Sequence, residues 1–401
     1  MLKVLRRGIG MPELVINVSN ILSPLCYSLI RIEPYSTCTF HCIYCYSRWY
    51  WISGGKPRPR IEALINFKTF ARKIYERNLA PIPARLATLT DPFQPVEKQF
   101  KISYKIMKIA LKYNYPLIIN TKSTLLVNKP WIRVIRKLSE NNLVIVQFSI
   151  SSFNEHITQK LEPLAPSVSE RLNAMKNLSE EGVPVILRLS PYIPGATLKP
   201  YNYDDVAVLL GDIGVKQVIV EGLRLPLREW NTIVKILGIH IPALSSYSMR
   251  IIEGGESLYK PHLESLLSEY VELMEALKKR NIGFSTCKEG LFSLHTVRDC
   301  CGFYMFGRYV KRITLYELFK EALREPIPLD EIDRKYTEIC RAEEYICFEK
   351  LTGYPKRIRK PLKAHERKLL KIVKNREMLS HVTPELVIED NYLKAKPTYY
   401  S

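Results

Sequence analysis

The chain predicts an α/β protein: a partial (β/α)6 barrel of the TIM type followed by an α+β extension. Three observations carry this expectation. Short apolar runs of strand length alternate with stretches of helical periodicity six times before residue 225. Such alternation builds a parallel sheet, and right-handed crossovers curl it. Polar residues and cysteines gather where the predicted strands end, which is the mouth of such a barrel. A closed eight-unit barrel takes about 250 residues, so six units make a partial one. The expected organisation is a lead-in over 1–28, the barrel over 29–225 and the extension over 226–401.

The elements follow in order. Leu29 to Glu33 is a short strand that delivers the chain into a cysteine-rich loop. Trp49, Tyr50 and Trp51, then Gly54, Gly55 and the prolines Pro57 and Pro59, make an irregular connection. Phe67 to Arg77 is helical. Arg85 to Thr90 is a strand stopped by Asp91-Pro92. Ile102, Ile106, Ile109 and Ala110 recur at helical spacing, giving one helix over Glu97 to Tyr113. Leu117 to Asn120 is a strand that ends in Thr121-Lys122-Ser123, and Trp131 to Leu138 is helical. Leu143 to Ile150 is apolar-rich, as a strand buried on both faces should be. Ser167 and Glu170 form a capping box before the next helix, which Gly182 closes. Val185 to Leu189 and Val218 to Glu221 are the fifth and sixth strands, with a helix over Tyr203 to Leu210 between them. Beyond residue 225 the alternation turns irregular. Leu263, Leu266, Leu267, Val271, Met274 and Leu277 mark an amphipathic helix, and Phe284 to Cys287 is extended.

The 401 residues are 46% hydrophobic and 25% charged, ordinary for a protein with a sizeable core. No apolar run approaches the roughly 20 residues that span a bilayer. Lys3, Arg6 and Arg7 precede a stretch interrupted by Asn17, Ser19, Asn20 and Pro24, so no signal peptide is read. The expected location is the cytoplasm, with no membrane contact. Nine cysteines, an odd number, argue against a disulfide framework. The net charge of +20, from 60 basic and 40 acidic side chains, favours a polyanionic partner such as nucleic acid; its bland counterpart is solubility.

Cys38, Cys42 and Cys45 carry the chemistry, in the run Cys-Thr-Phe-His-Cys-Ile-Tyr-Cys. The CxxxCxxC spacing places three thiolates around one corner of a [4Fe-4S] cube and leaves the fourth iron free of protein, whereas such clusters are normally closed by four cysteines. Zinc is the alternative, with His41 as a fourth ligand wedged between Cys38 and Cys42.

Further blocks accompany the triplet: Pro34-Tyr35 before it, Thr90-Asp91-Pro92-Phe93-Gln94-Pro95, Thr121-Lys122-Ser123, Leu161-Glu162-Pro163-Leu164-Ala165-Pro166 with Arg171-Leu172, and Pro191-Tyr192-Ile193-Pro194-Gly195. Together, over roughly residues 30 to 200, they resemble the radical S-adenosylmethionine (radical SAM) group named after spore photoproduct lyase, often labelled DNA repair photolyase-like. The resemblance implies a partial barrel of the radical SAM type with a [4Fe-4S] cluster on Cys38, Cys42 and Cys45. It implies S-adenosyl-L-methionine on the fourth iron and a one-electron reductant as partner. It places Tyr44 against the adenine and Thr90 and Asp91 near the methionine amino group. Lys122, Ser123, Ser149, Ser151 and Arg188 are its candidates for the carboxylate and ribose. The implied reaction is reductive cleavage of the sulfonium to a 5′-deoxyadenosyl radical that abstracts hydrogen from substrate. No residue is assigned as a further catalytic group. One departure stands out: spore photoproduct lyase carries a cysteine hydrogen donor on its second strand, and no cysteine occurs here between Cys45 and Cys287. Thymine-dimer reversal is therefore not the expected activity.

Two features lie outside the resemblance. Cys287, Cys300, Cys301, Cys340 and Cys347 are close in sequence and are candidates for a second Fe-S cluster, a zinc site or buried apolar cysteines. Residues 350–376 hold 11 Lys or Arg and one acidic residue, a candidate phosphate-backbone tract with Tyr354 for stacking, or a solvated helix face. The aromatics Tyr46, Trp49, Tyr50 and Trp51 offer either a stacking surface for a base or packing for the barrel, and packing is the expectation. The leading function is a radical SAM enzyme acting on a nucleic acid. The alternatives are the same chemistry on a peptide or small metabolite, and a nucleic-acid-binding Fe-S protein without SAM turnover. Substrate and oligomeric state are not legible.

Overall fold

The computed structural model describes residues 23–49, 55–239, 244–247 and 258–399. Lys3, Arg6, Arg7, Asn17, Ser19, Asn20, Tyr50, Trp51, Gly54 and the side chain of Trp49 lie outside the described residues.

Seven parallel strands form one curled sheet in the order β1-β2-β3-β4-β5-β6-β9. They are β1 (Ile30–Ile32), β2 (Ala84–Leu86), β3 (Leu117–Thr121), β4 (Val144–Ile150), β5 (Val185–Tyr192), β6 (Gln217–Gly222) and β9 (Gly283–Thr286). A separate antiparallel pair, β7 (Leu244–Tyr247) and β8 (Leu258–Pro261), lies between the last two. The seventh strand is the segment read as extended over Phe284 to Cys287. It pairs parallel with β6, Val218 opposite Phe284, so the partial barrel takes a strand from beyond residue 225. Helices of the crossovers, among them α1 (Ile61–Glu76), α3 (Ile102–Lys112) and α4 (Trp131–Glu140), cover the outside through Phe67, Ile106 and Ile135.

Two local expectations change for identifiable reasons. The helix expected over Glu97 to Tyr113 is broken at Lys101, whose φ of 52° is left-handed. The buried Glu97 carboxylate accepts the Ser103 and Tyr104 N–H groups and so caps the second piece. The second strand stops at Leu86 because Glu33, at the end of β1, captures the next turn. Its carboxylate accepts Thr88 N at 2.6 Å, Leu89 N at 2.8 Å and Thr90 N at 3.2 Å. The capping box of Ser167 and Glu170 is present as expected.

The interior of the barrel is closed at the strands' N-terminal end by the segment after β9. Phe303 and Phe306 pack against Tyr27, Ile118, Ile145 and Ile186. The buried Asp299 pins the segment by accepting the N–H groups of Cys301, Phe303 and Tyr304. Gly302 has φ 82°, and a Cβ there would meet Ile186 Cδ1 at 2.6 Å, so only glycine fits. A second core beside the barrel joins the helices Leu315–Arg324, Ile332–Cys340 and Lys356–Val373 to a small antiparallel sheet of β10 (Ile327–Pro328), β11 (Leu386–Glu389) and β12 (Tyr392–Ala395), in the order β10-β12-β11. No helix among the described residues is long and apolar enough to cross a membrane.

Candidate active site

The cysteine loop leaves β1 at the C-terminal mouth. Gln94, fully buried, holds it from both sides: its Oε1 accepts Thr39 N at 3.0 Å and its Nε2 donates to Thr37 O at 2.8 Å. His41 turns the chain back with φ 49° and is exposed. Ile43 N donates to Leu161 O at 2.9 Å, and the Tyr44 hydroxyl donates to Glu162. Burial, then the neighbouring Asp91 carboxylate, pushes the Cys38 thiol up to about 12. Burial and Glu162 push Cys42 up as well. Thiols held this way keep their protons until a cation replaces them, which an iron cluster does. Among the described residues no three His, Cys, Asp or Glu surround a point as one metal ion requires. A four-iron cube takes one thiolate per corner, a role the loop's three cysteines would fill, whereas zinc usually takes four ligands.

Beneath the loop the predicted residues sort into three groups. Tyr44, Lys122 and Ser151 meet at Glu162, a residue that is 1% exposed. Lys122 Nζ stands 3.6 Å from Glu162 Oε1 and 5.8 Å from the Tyr44 ring centroid, and Arg171 pairs with Glu162 Oε2 at 2.5 Å. Burial would raise the Glu162 pKa; Lys122 and Arg171, with the bond from Tyr44, outweigh it and hold the carboxyl below its usual range.

Thr90, Asp91 and Ser123 shape the mouth instead. Thr90 Oγ1 donates to Glu33 at 3.0 Å. Asp91 accepts Phe93 N, Thr121 Oγ1 and Lys122 N, the last at 2.7 Å. Ser123 Oγ donates to Phe93 O at 2.7 Å. The expected placement of Asp91 beside an ammonium thus meets a carboxylate already engaged by the backbone.

Ser149 and Arg188 line the barrel wall. Ser149 Oγ donates to Ser190 O at 3.0 Å. Arg188 pairs with Glu221 at 3.0 Å, and Glu221 also meets Arg224 at 3.1 Å and Lys288 at 3.2 Å. That acid-base network, with Glu289 on Arg224 at 2.6 Å, was not read from the sequence. Its signal was available in part: Glu221 ends a predicted strand on the inward register.

The five C-terminal cysteines are divided. Cys340 and Cys347 are bonded to each other as a disulfide in the second core. Cys287, Cys300 and Cys301 lie inside the barrel. Cys300 and Cys301 sulfurs are 3.8 Å apart, and Arg85 donates to Cys301 Sγ at 3.1 Å. The Cys300 hydrogen bond and Arg85 lower the Cys301 thiol pKa against its burial. Tyr354 is buried with its hydroxyl on Ala80 O, so it is not placed to stack on a base. Tyr46 is partly exposed beside the loop, its hydroxyl on Thr88 O at 2.7 Å.

Residues 32–202, which carry this loop and strands β2 to β5, match the family model of the radical SAM superfamily. An uncharacterized protein of Methanocaldococcus jannaschii is 30% identical over 171 residues, 41% of this chain and 60% of that protein. The radical SAM Nalpha-GlyT isomerase of Pseudomonas phage M6 is 24% identical over 201 residues, 49% of this chain and 40% of that enzyme. The chain therefore spans about half the length of the curated relatives it matches. Among solved structures, spore photoproduct lyase complexed with dinucleoside spore photoproduct aligns over 65% of this chain and 78% of that one, at 15% identity and a TM-score of 0.47.

Proposed function

We propose that the chain is a radical SAM enzyme of the spore photoproduct lyase-like group, with a nucleic acid as substrate. The observation that carries the reading is the CxxxCxxC loop at the mouth of a parallel barrel, inside the segment that matches the superfamily. Cys38, Cys42 and Cys45 would hold a [4Fe-4S] cluster, and S-adenosyl-L-methionine would bind beside them. When bound, the two supply reductive cleavage of the sulfonium and a hydrogen-abstracting radical, the electron coming from an external reductant. The chain's own part is positional. Gln94 and Glu162 hold the loop, Glu33 and Asp91 hold the mouth's rim, and the Phe303–Phe306 segment closes the far end, which leaves the mouth as the approach for substrate.

A row of cations supports the nucleic-acid substrate. Lys356, Lys360, Lys363, Arg367 and Lys371 follow one face of the helix Lys356–Val373, opposite the buried Ile358, Leu362, Leu369 and Ile372. The row spans about 22 Å, and none of the five is in an ion pair among the described residues. The helix begins beside the α1–β2 connection, where Tyr354 meets Ala80, at the end of the sheet opposite the cysteine loop. A strand touching both row and mouth must be long.

Anaerobic reconstitution tests the chemistry. About four irons per chain are expected, with reductant-dependent 5′-deoxyadenosine; Cys42→Ala should lose both, and Cys340→Ser with Cys347→Ser should keep both. A cluster without 5′-deoxyadenosine would favour an Fe-S protein that binds without turnover. For the substrate, duplex binding should weaken steeply with salt, and Lys360→Glu with Arg367→Glu should flatten the log–log slope by about two. An unchanged slope would favour a peptide or metabolite.

A further inference from the structure

This inference rests on the proposed cluster and concerns what sets its electron affinity. Leu161 and Glu162 hold the Cys42–Cys45 turn by a backbone bond to Ile43 and a side-chain bond from Tyr44. Glu162 meets two cations, Lys122 at 3.6 Å and Arg171 at 2.5 Å. Glu33 and Asp91 differ: their oxygens are taken up by backbone N–H and hydroxyl groups. The Glu162 and Arg171 side chains are fully buried and that of Lys122 is 13% exposed, so solvent screens them little. Tyr44, whose hydroxyl Glu162 accepts, stands between the ligand candidates Cys42 and Cys45. Reduction adds negative charge to a cluster, and cluster potentials respond to nearby charge and exposure.

We propose that Glu162 is a positioning residue that fixes the cysteine turn and, paired with Lys122, sets the midpoint potential of the cluster. The carboxylate opposes the incoming electron and the ammonium favours it. A paired arrangement lets the fold keep a tight anchor for the loop without making the cluster irreducible.

The test is an anaerobic redox titration of the reconstituted full chain, followed by electron paramagnetic resonance. Glu162→Gln keeps the shape and the bond to Tyr44 but removes the charge, so its midpoint should rise. Lys122→Met removes the opposing charge, so its midpoint should fall. Iron per chain should stay at the wild-type value in both. Opposite shifts are the signature of charge; a loop merely loosened moves both variants the same way, which would overturn the proposal, as would unchanged midpoints. If Glu162→Gln loses its cluster, the sign of the Lys122→Met shift decides alone. An unshifted Lys122→Met with weakened S-adenosylmethionine binding would also overturn it. A wild-type chain that takes up no cluster overturns the proposed function and this inference together, which separates that failure from a cluster of unaltered potential.

Discussion

Eight of the nine cysteines of this chain live in two kinds of surroundings. Those of the N-terminal loop are partly exposed at a mouth, in a turn tied down by buried polar side chains, Gln94 and Glu162. Those of the C-terminal half are buried in apolar cores, two joined to each other and three beside Phe303 and Phe306. A ligand loop needs its backbone held by side chains so that its thiols stay available, whereas structural cysteines are simply packed. The contrast extends to the two segments as wholes. One supplies the mouth, and the other supplies the seventh strand and the closure beneath it.

That division is open to measurement. The largest effect should come from Phe303→Ala, which removes a fully buried ring from the closure. A loss of about 3–5 kcal/mol is expected in urea unfolding, with one cooperative transition if barrel and extension unfold together. Two separated transitions would show that the second core stands alone. A smaller effect should come from pH. His365 is buried with its ring against Ile313 O at 2.7 Å, and burial, then Arg312, hold its pKa well below the usual value. The unfolded chain therefore binds the proton more readily than the folded one. Stability is complete above about pH 6.5 and should fall by up to about 1.4 kcal/mol per unit below it. His365→Phe should flatten that slope, read as unfolding midpoints between pH 7 and 5.

Much of the barrel was legible in advance. Strands β3 to β6 came from apolar runs and the Ser167 box from local chemistry, because both are set by neighbours in sequence. The break at Lys101 and the early end of β2 were not, since Glu97 and Glu33 act through side chains placed by other elements. The seventh strand was seen as extended but not as part of the barrel: four residues carry no sign of which sheet edge they will join. In the site, the three loop cysteines were plain from spacing. The gathering of Tyr44, Lys122 and Ser151 at Glu162 was not, because it joins four separate stretches of chain.

The sequence by itself determined the alternating α/β class and the thiol triplet, since periodicity and short-range spacing are properties of the chain alone. Only the tertiary structure decided that Cys340 pairs with Cys347 while Cys300 and Cys301 turn into the barrel. It also decided that the basic residues of one helix form a row, and that Asp91 holds a rim while Glu162 holds the loop. These depend on which distant groups burial brings into contact, and the cost of burying a charge leaves each carboxylate only where partners await it.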